Sequence, residues 1–243
     1  MENYLILLTA LLPIAILVFY IYHKDKNSPE PTGQLVKTFL FGTFSVPLSL
    51  CISIPLGTMG VYPAEATDIL GSISTAFFGA AVPEEIAKLF VLWLVLRKNP
   101  YFDETMDGIV YAVCVSLGFA ALENVMYLFS NAEAYLSVGV ARAIFAVPGH
   151  FCFGILMGYY YSLAKFYPKL ATKNKVLVLI APIIAHGIYD SILFILNVTP
   201  AISGVLLIVF LIFCRKMWKY GSKRIKEHLE RDNDRNCQCD CSI

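Results

Sequence analysis

Charged side chains are scarce in this sequence of 243 residues. Asp, Glu, Lys and Arg together make up 15% of the chain, whereas hydrophobic residues make up 58%. Soluble domains carry about 25% charged residues, so this composition excludes an ordinary soluble domain and indicates an integral membrane protein. The formal net charge is +1 and no long charged block interrupts the apolar part. This net charge is uninformative about nucleic acid, and we expect no nucleic-acid partner.

The seven cysteines lack the spacing of a disulfide framework. Four lie singly in apolar runs, where we expect them to pack as small hydrophobic side chains. The other three, Cys237, Cys239 and Cys241, form a C-x-C-x-C pattern near the C-terminus. We expect an inert tail there, with acylation or adventitious metal binding as the alternatives. We expect no prenylation box, because Asp240 occupies the fourth position from the end of the sequence.

Long apolar runs account for most of the chain, and a helix needs about 20 such residues to cross a bilayer. We predict an all-α, polytopic membrane helix bundle with about seven transmembrane helices. The first run lacks the features of a cleavable signal peptide, so we expect it to remain as a helix. The predicted spans are 4–22, 35–56, 69–96, 107–129, 134–163, 176–196 and 200–217.

Basic residues are confined to every second loop between these spans. The loops after the first, third and fifth spans and the segment after the seventh contain Lys or Arg, and the intervening loops contain neither. The positive-inside rule then places the N-terminus outside and the C-terminus in the cytoplasm. We predict one transmembrane protease-like domain over residues 1–217, with a motif-bearing part at about 35–195, and a cytoplasmic polar tail over 218–243.

Two adjacent carboxylates lie in the third predicted span. The run from Ile69 to Leu96 is apolar except for Glu84, Glu85 and Lys88. A charge at mid-bilayer costs several kcal/mol, about 3 or more, unless it is paired or hydrated. Ionisable residues at this depth are therefore candidates for function.

Three further spans place polar residues at a similar depth. With a rise of about 1.5 Å per residue, the set lies between the membrane midplane and the outer face. Such a shared layer indicates one partly hydrated cavity. The residues concerned are Glu123 and Asn124 in the fourth span, Arg142 and His150 in the fifth, and His186 and Asp190 in the sixth.

Helical spacing relates some of these residues to one another. Three pairs are spaced i, i+4 and so share a helix face: Glu84 with Lys88, Phe119 with Glu123, and His186 with Asp190. A carboxylate beside an imidazole fixes its tautomer. A structural ion pair is the alternative for Lys88. We expect Arg142 to pair with Glu123 or Glu133, and Asn124 to be either a site residue or a hydrogen-bond clamp between helices.

Two chemistries fit this set of side chains. In the first, Glu84 or Glu85 acts as a general base on water while a histidine and a polar group hold the oxyanion. In the second, a divalent metal ion such as zinc activates the water. The sequence has no H-E-x-x-H helix, so a metal site would be assembled from separate helices. Its candidate ligands are Glu85, Glu123, His150, His186 and Asp190.

The same residues carry a resemblance to the PrsW family of intramembrane proteases. Four elements match in order and spacing over about residues 35–195. They are Pro83-Glu84-Glu85-Ile86-Ala87-Lys88 for E-E-x-x-K, Gly118-Phe119-Ala120-Ala121-Leu122-Glu123-Asn124 for G-F-x-x-x-E-N, His150 after Pro148, and His186-Gly187-Ile188-Tyr189-Asp190 for H-x-x-x-D.

The resemblance implies a superfamily shared with type II CAAX prenyl endopeptidases and the scaffold subunit of gamma-secretase. It implies a multi-pass protein of a prokaryotic plasma membrane that cuts membrane-anchored anti-sigma factors near the outer face. By the same resemblance, the general base is Glu84. Glu123 stands where the prenyl endopeptidases have a histidine, and this departure allows a metal site richer in carboxylates.

We therefore predict an intramembrane endopeptidase, of glutamate or metallo type, that acts on a single-pass membrane protein. Glu84 or Glu85 activates water, His186 and His150 polarise the reacting groups or bind a metal, and Asp190 orients His186. Glu123 serves as a second carboxylate or ligand. The alternatives are a non-catalytic membrane scaffold of the same fold and a proton-coupled transporter. Membrane lipid is the other expected partner.

Overall fold

The computed structural model describes the backbone of residues 2–240 and the side chains of residues 3–235. The described residues form helices joined by short turns. The α-helices are α1 (Glu2–Lys24), α2 (Thr32–Thr58), α3 (Ile69–Ser74), α4 (Val82–Leu96), α5 (Thr105–Ser130), α6 (Tyr135–Ala141), α7 (Val147–Phe166), α8 (Ala171–Val198) and α9 (Ser203–Asp240). The side chains of the C-terminal cysteines lie outside the described residues, so the expectation for them stays a prediction.

The polytopic helix bundle predicted from the sequence is confirmed. Six helical stretches in the described part of the chain are long and apolar enough to cross a membrane: Asn3–Lys24, Thr32–Thr58, Thr105–Ser130, Ala132–Phe166, Pro168–Val198 and Pro200–Arg235. The third predicted span is built from two α-helices, α3 and α4, with a π-helical segment between them, and together they cover 69–96.

Two spans contain a π-helical segment that the sequence patterns did not predict. These segments are Thr75–Ala81, between α3 and α4, and Arg142–Ala146, between α6 and α7. Each is followed by an α-helix with a proline in its first turn, Pro83 or Pro148. Proline lacks an N–H group and crowds the preceding turn, so the helix departs locally from α geometry.

Helix α5 is the centre of the bundle and is buried along most of its length. Its neighbours approach so closely that glycine is required at the contacts. A Cβ atom on Gly118 would lie 2.1 Å from the carbonyl oxygen of Phe39 in α2. A Cβ atom on Gly158 in α7 would lie 2.2 Å from the carbonyl oxygen of Gly108 in α5. Small residues allow such close packing of helices in membranes.

Helix α9 continues without a break from the seventh predicted span through the residues predicted as a polar tail. Its charged part packs against the rest of the bundle. The Asp232 carboxylate accepts hydrogen bonds from the backbone N–H groups of Thr105 and Met106, both at 2.8 Å. This carboxylate caps the N-terminus of α5. His228 stacks on Tyr159 of α7, with ring centroids 4.5 Å apart.

Candidate active site

The ionisable residues of four spans surround one cavity of about 320 Å³. It lies between α4, α5, α7 and α8, beside the two π-helical segments. The acidic, basic and imidazole side chains that line it are those of Glu84, Glu123, Arg142, His150, His186 and Asp190. Glu85, Lys88 and Asn124 lie behind this lining and are buried. The structure therefore brings the candidate residues into two layers, one facing the cavity and one supporting it.

Lys88 is the centre of the supporting layer. Its Nζ atom lies 2.8 Å from Glu85 Oε1, 3.2 Å from Glu84 Oε2 and 3.2 Å from His150 Nδ1. An ammonium group has three protons to donate, so these three acceptors use all of them. The same atom lies 4.1 Å from the centre of the Phe119 ring, in cation–π contact. Lys88 therefore joins α4 to α7 and brings both glutamates close to one positive charge.

His150 is held in one tautomer by its two neighbours. Lysine can only donate, so His150 Nδ1 accepts from Lys88 and the ring proton lies on Nε2. His150 Nε2 lies 2.9 Å from Glu123 Oε2, to which it donates. The main-chain carbonyl of His150 also accepts from Ser116 Oγ at 2.7 Å. The imidazole is thus fixed between a cation and a carboxylate.

His186 lies between two carboxylates. Its Nδ1 atom is 2.9 Å from Glu85 Oε1, and its Nε2 atom is 3.1 Å from Asp190 Oδ2. A carboxylate only accepts hydrogen bonds, so both ring nitrogens donate and the ring carries two protons when both acids are ionised. Phe153 stacks on the ring with centroids 4.6 Å apart. His186 is therefore a second cation fixed in place beside the cavity.

Arg142 is the third cationic side chain of the site, and through Asn124 it connects the site to α1. Its Nη2 atom lies 2.6 Å from Glu123 Oε2, and its Nε atom donates to Asn124 Oδ1 at 2.6 Å. Asn124 Nδ2 in turn donates to the carbonyl oxygen of Ala10 at 3.1 Å. Of the two predicted partners of Arg142, the structure thus pairs it with Glu123. Asn124 serves as a clamp between α5 and α1.

The two adjacent glutamates have different surroundings. The side chain of Glu84 is 13% exposed and lines the cavity, whereas that of Glu85 is 0% exposed. Glu85 lies at 2.8 Å and 2.9 Å from Lys88 and His186, but the corresponding distances for Glu84 are 3.2 Å and 3.9 Å. Glu84 is therefore the more accessible carboxylate and the less fully neutralised one.

One group of side chains in the described part of the chain has donor atoms close enough to share a metal ion. It consists of Glu84, Glu85 and His186, whose donor atoms lie within 4.8 Å of one another. A second oxygen of Glu85, Oε2, is buried without a hydrogen-bond partner. The group includes Glu84, which the predicted ligand set did not, and leaves out Glu123, His150 and Asp190. These donors suit zinc, although an ion would share them with the Lys88 ammonium and displace protons from His186.

Several residues at the site were not predicted from the sequence. Phe153 follows His150 by three positions and so shares its helix face, which was a usable signal. Tyr127 follows Glu123 by four positions, and its ring lies 4.1 Å from the Arg142 guanidinium. Ser116 has no such local signal, because its contact with α7 depends on tertiary packing.

Comparison with known proteins gives one consistent result. The family model described as PrsW family intramembrane metalloprotease matches residues 30–215. Protease PrsW of Clostridioides difficile (strain 630) is 34% identical over 225 residues, which are 91% of this chain and 90% of that protein. Protease PrsW of Bacillus subtilis (strain 168) is 32% identical over 214 residues, 87% of this chain and 89% of that protein. No solved structure matches the chain.

Proposed function

The chain belongs to the PrsW family of intramembrane metalloproteases, and we propose that it cuts a single-pass membrane protein, such as an anti-sigma factor, near the outer membrane face. It is an intramembrane protease and a multi-pass prokaryotic membrane protein. The proposal concerns its substrate class, its catalytic residues and its use of a metal ion. The convergence of Glu84, Glu123, His150, His186 and Asp190 on one cavity carries it.

The depth of the cavity supports cleavage near the outer face. Asp190 lies about 12 Å before the end of α8 at Val198 and about 28 Å after its start at Ala171. With the N-terminus outside, as the basic loops predict, α8 runs outward and Asp190 lies in the outer half of the bilayer. Of the peptide bonds in a substrate's transmembrane segment, those in the outer half of the bilayer would therefore lie nearest to Glu84 and His186.

Glu84 is the proposed general base. It faces the cavity, and its contacts with cations are longer than those of its neighbour Glu85. In the proposed step its carboxylate takes a proton from water as the oxygen attacks the scissile carbonyl carbon. Glu85, which is fully buried between Lys88 and His186, is a positioning residue.

The oxyanion that forms needs a positive group or donor nearby. His186 and Arg142 both line the cavity with cationic side chains held by carboxylates. In the proposed arrangement Asp190 orients His186, which stabilises the oxyanion. Glu123 holds His150 and Arg142 in place through one oxygen atom.

The alternative to this arrangement is a metal site formed by the same residues, in which Glu84 and His186 are ligands rather than general base and hydrogen-bond donor. Glu84, Glu85 and His186 would hold a divalent ion such as zinc. When bound, such an ion supplies a Lewis acid that acidifies water and polarises a carbonyl. Because the described site also contains Lys88 and a doubly protonated His186, metal affinity is expected to rise with pH.

The test is cleavage of a single-pass reporter by purified enzyme in liposomes. Removing a general base slows a reaction by about 10²–10⁴-fold, so Glu84→Gln should lose activity to that extent while it remains folded. Glu133→Gln removes an exposed carboxylate beyond α5 and is the matched control. Activity above a tenth of the parent level in Glu84→Gln would contradict the role. If the parent protein cleaves no single-pass reporter, that result would favour the non-catalytic scaffold alternative.

The metal proposal has a separate readout. Zinc content after dialysis, measured by mass spectrometry, should approach one ion per chain in the parent and fall at least tenfold in Glu85→Gln and His186→Ala. The zinc content of Glu133→Gln should equal that of the parent. Equal zinc content in all four proteins would remove these residues as ligands while leaving the proposed role of Glu84 intact.

A further inference from the structure

A second cavity, larger than that of the active site, lies on another part of the described structure. It has a volume of about 720 Å³, within the range of about 300–1,000 Å³ typical of ligand sites. It lies between α4, α7 and α8. Most of its wall is apolar, formed by side chains such as Ile86, Leu89, Phe90, Trp93 and Val178.

One end of this groove is basic. Arg97 lies just after the end of α4, Lys165 in the last turn of α7, and Lys175 in the first part of α8. All three positions are at the ends of spans where the basic loops occur, which is the predicted cytoplasmic side. The groove therefore has a charged end at the membrane surface and an apolar wall that extends towards the midplane.

Two of these basic groups are free to bind an anion. Within residues 3–235, neither the Arg97 guanidinium nor the Lys175 ammonium forms a hydrogen bond or ion pair, although Arg97 lies 4.9 Å from the Trp93 ring. Lys165 is already engaged, since it donates to the carbonyl oxygen of Phe102 and lies near acidic side chains. Arg97 and Lys175 thus provide the unsatisfied positive charge.

The length of the groove matches one leaflet of a bilayer. From Ile86 to Leu96 the wall rises about 15 Å along α4. The hydrocarbon core of a bilayer is about 30 Å thick, so half of it is about 15 Å. An acyl chain that enters at the basic end would reach the middle of the membrane along this wall.

From this complementarity we propose that the groove is a binding site for an anionic phospholipid of the cytoplasmic leaflet. The phosphate of the headgroup lies between Arg97 and Lys175, and an acyl chain lies along the apolar wall of α4 and α8. Basic pockets between transmembrane helices on the cytoplasmic side are suited to such headgroups. The site does not depend on the proposed catalytic roles. It shares α4 with Glu84 and Glu85.

The test is native mass spectrometry of the full chain in detergent with added phosphatidylglycerol or phosphatidylcholine of identical acyl chains. The parent should bind phosphatidylglycerol at least tenfold more tightly than phosphatidylcholine. Arg97→Gln/Lys175→Gln should reduce this preference to less than threefold. Lys169→Gln/Lys173→Gln makes the same change of charge at exposed residues outside the groove, and it should retain the preference.

A second variant tests the apolar part of the site. Ala164 lines the groove, and Ala164→Trp should lower the affinity for both lipids at least fivefold by occupying acyl-chain space. An equal loss of preference in the two double variants would overturn the proposal, because the effect would then be one of surface charge. Crosslinks from Leu179 to the transmembrane segment of a substrate rather than to lipid would overturn it as well.

Discussion

Replacement of Lys88 by methionine is the sharpest test of how the site is held together. Methionine keeps an unbranched stem of similar volume beside Phe119 and removes the charge. The Lys88 ammonium contacts Glu85 at 2.8 Å and Glu84 at 3.2 Å. At an effective dielectric constant of about 20, each contact contributes about 5–6 kcal/mol of gross Coulomb attraction.

The net cost of the substitution is smaller than the gross attraction, because burying three ionised groups opposes it. Removal of one partner from a buried ion pair costs about 3–5 kcal/mol, since the remaining charge is left uncompensated. We expect Lys88→Met to lower the free energy of unfolding by that amount. The corresponding change in the unfolding equilibrium is about two to four orders of magnitude.

A double variant shows whether the loss of stability in Lys88→Met comes from an uncompensated charge or from poorer packing. Glu85→Gln/Lys88→Met removes one negative and one positive group together, so it should regain about 2 kcal/mol or more relative to Lys88→Met. We expect both Lys88→Met and the double variant to lack protease activity, because Glu85 and Lys88 position His186, His150 and Glu84. Lys98→Met, at an exposed residue, is the control and should cost less than about 0.5 kcal/mol.

The measurement is equilibrium unfolding in mixed micelles with increasing SDS, followed by intrinsic tryptophan fluorescence. Trp218 is a suitable probe because it stacks on Phe151 in the bundle, with centroids 5.6 Å apart. A Lys88→Met protein as stable as the parent would refute the reasoning. So would a double variant no more stable than Lys88→Met.

Three further predictions concern the fold outside the site. Burial and the neighbouring Glu30 raise the pKa of Asp25, beyond the end of α1, to about 8. In the folded protein this carboxyl group therefore holds an extra proton between about pH 4 and pH 8, and it lowers stability by up to about 1.4 kcal/mol for each unit that the pH rises across that window. Asp25→Asn should reduce the pH slope of thermal unfolding by that contribution. Gly158→Ala should cost about 1–3 kcal/mol in the SDS titration, because the new Cβ meets α5 backbone. Asp232→Ala should cost about 2–4 kcal/mol in the same titration, because two buried N–H groups at the start of α5 lose their acceptor.

Each of these three has a control in the chain. Glu65→Gln, at an exposed residue, is the control and should leave the pH slope unchanged, and an unchanged slope in Asp25→Asn would contradict the pKa shift. Gly204→Ala introduces a Cβ with no atom within 4 Å and should cost nothing. Asp234→Ala removes an exposed carboxylate two positions from Asp232 and should be neutral. If Gly158→Ala costs no more than Gly204→Ala, or Asp232→Ala no more than Asp234→Ala, the proposed contact does not contribute to the free energy of unfolding.

Features set by a single helix could be predicted from the sequence. The i, i+4 pairs Glu84–Lys88 and His186–Asp190 are in contact at 3.2 Å and 3.1 Å, because helix geometry alone brings such residues together. The extent of the third span could be predicted for a similar reason, since its apolar run from Ile69 ends at the basic loop.

Contacts between helices could not be predicted in this way. The bond from Lys88 to His150 and that from Glu85 to His186 depend on how each helix is rotated about its axis. That rotation depends on tertiary contacts, such as that of Gly187 in α8 with Phe77 in the first π-helical segment, which the hydrophobic pattern does not record. The docking of α9 through Asp232 is a further case, because only tertiary packing brings this carboxylate to the start of α5.

The difference between Glu84 and Glu85 follows from the same rotation. Adjacent residues on a helix point about 100° apart, so only one of them can face the cavity directly, and the sequence does not say which. In the structure Glu85 takes the shorter contacts with both Lys88 and His186, and the longer ones are left to Glu84. Four carboxylates and three cations make up the site, if His186 carries both protons. The remaining negative charge therefore resides where neutralisation is weakest, on the carboxylate that faces the cavity. A protein that hydrolyses peptides within a membrane needs a carboxylate that water can reach, and Glu84, which has the longer of the two contacts with Lys88, is our candidate for that group.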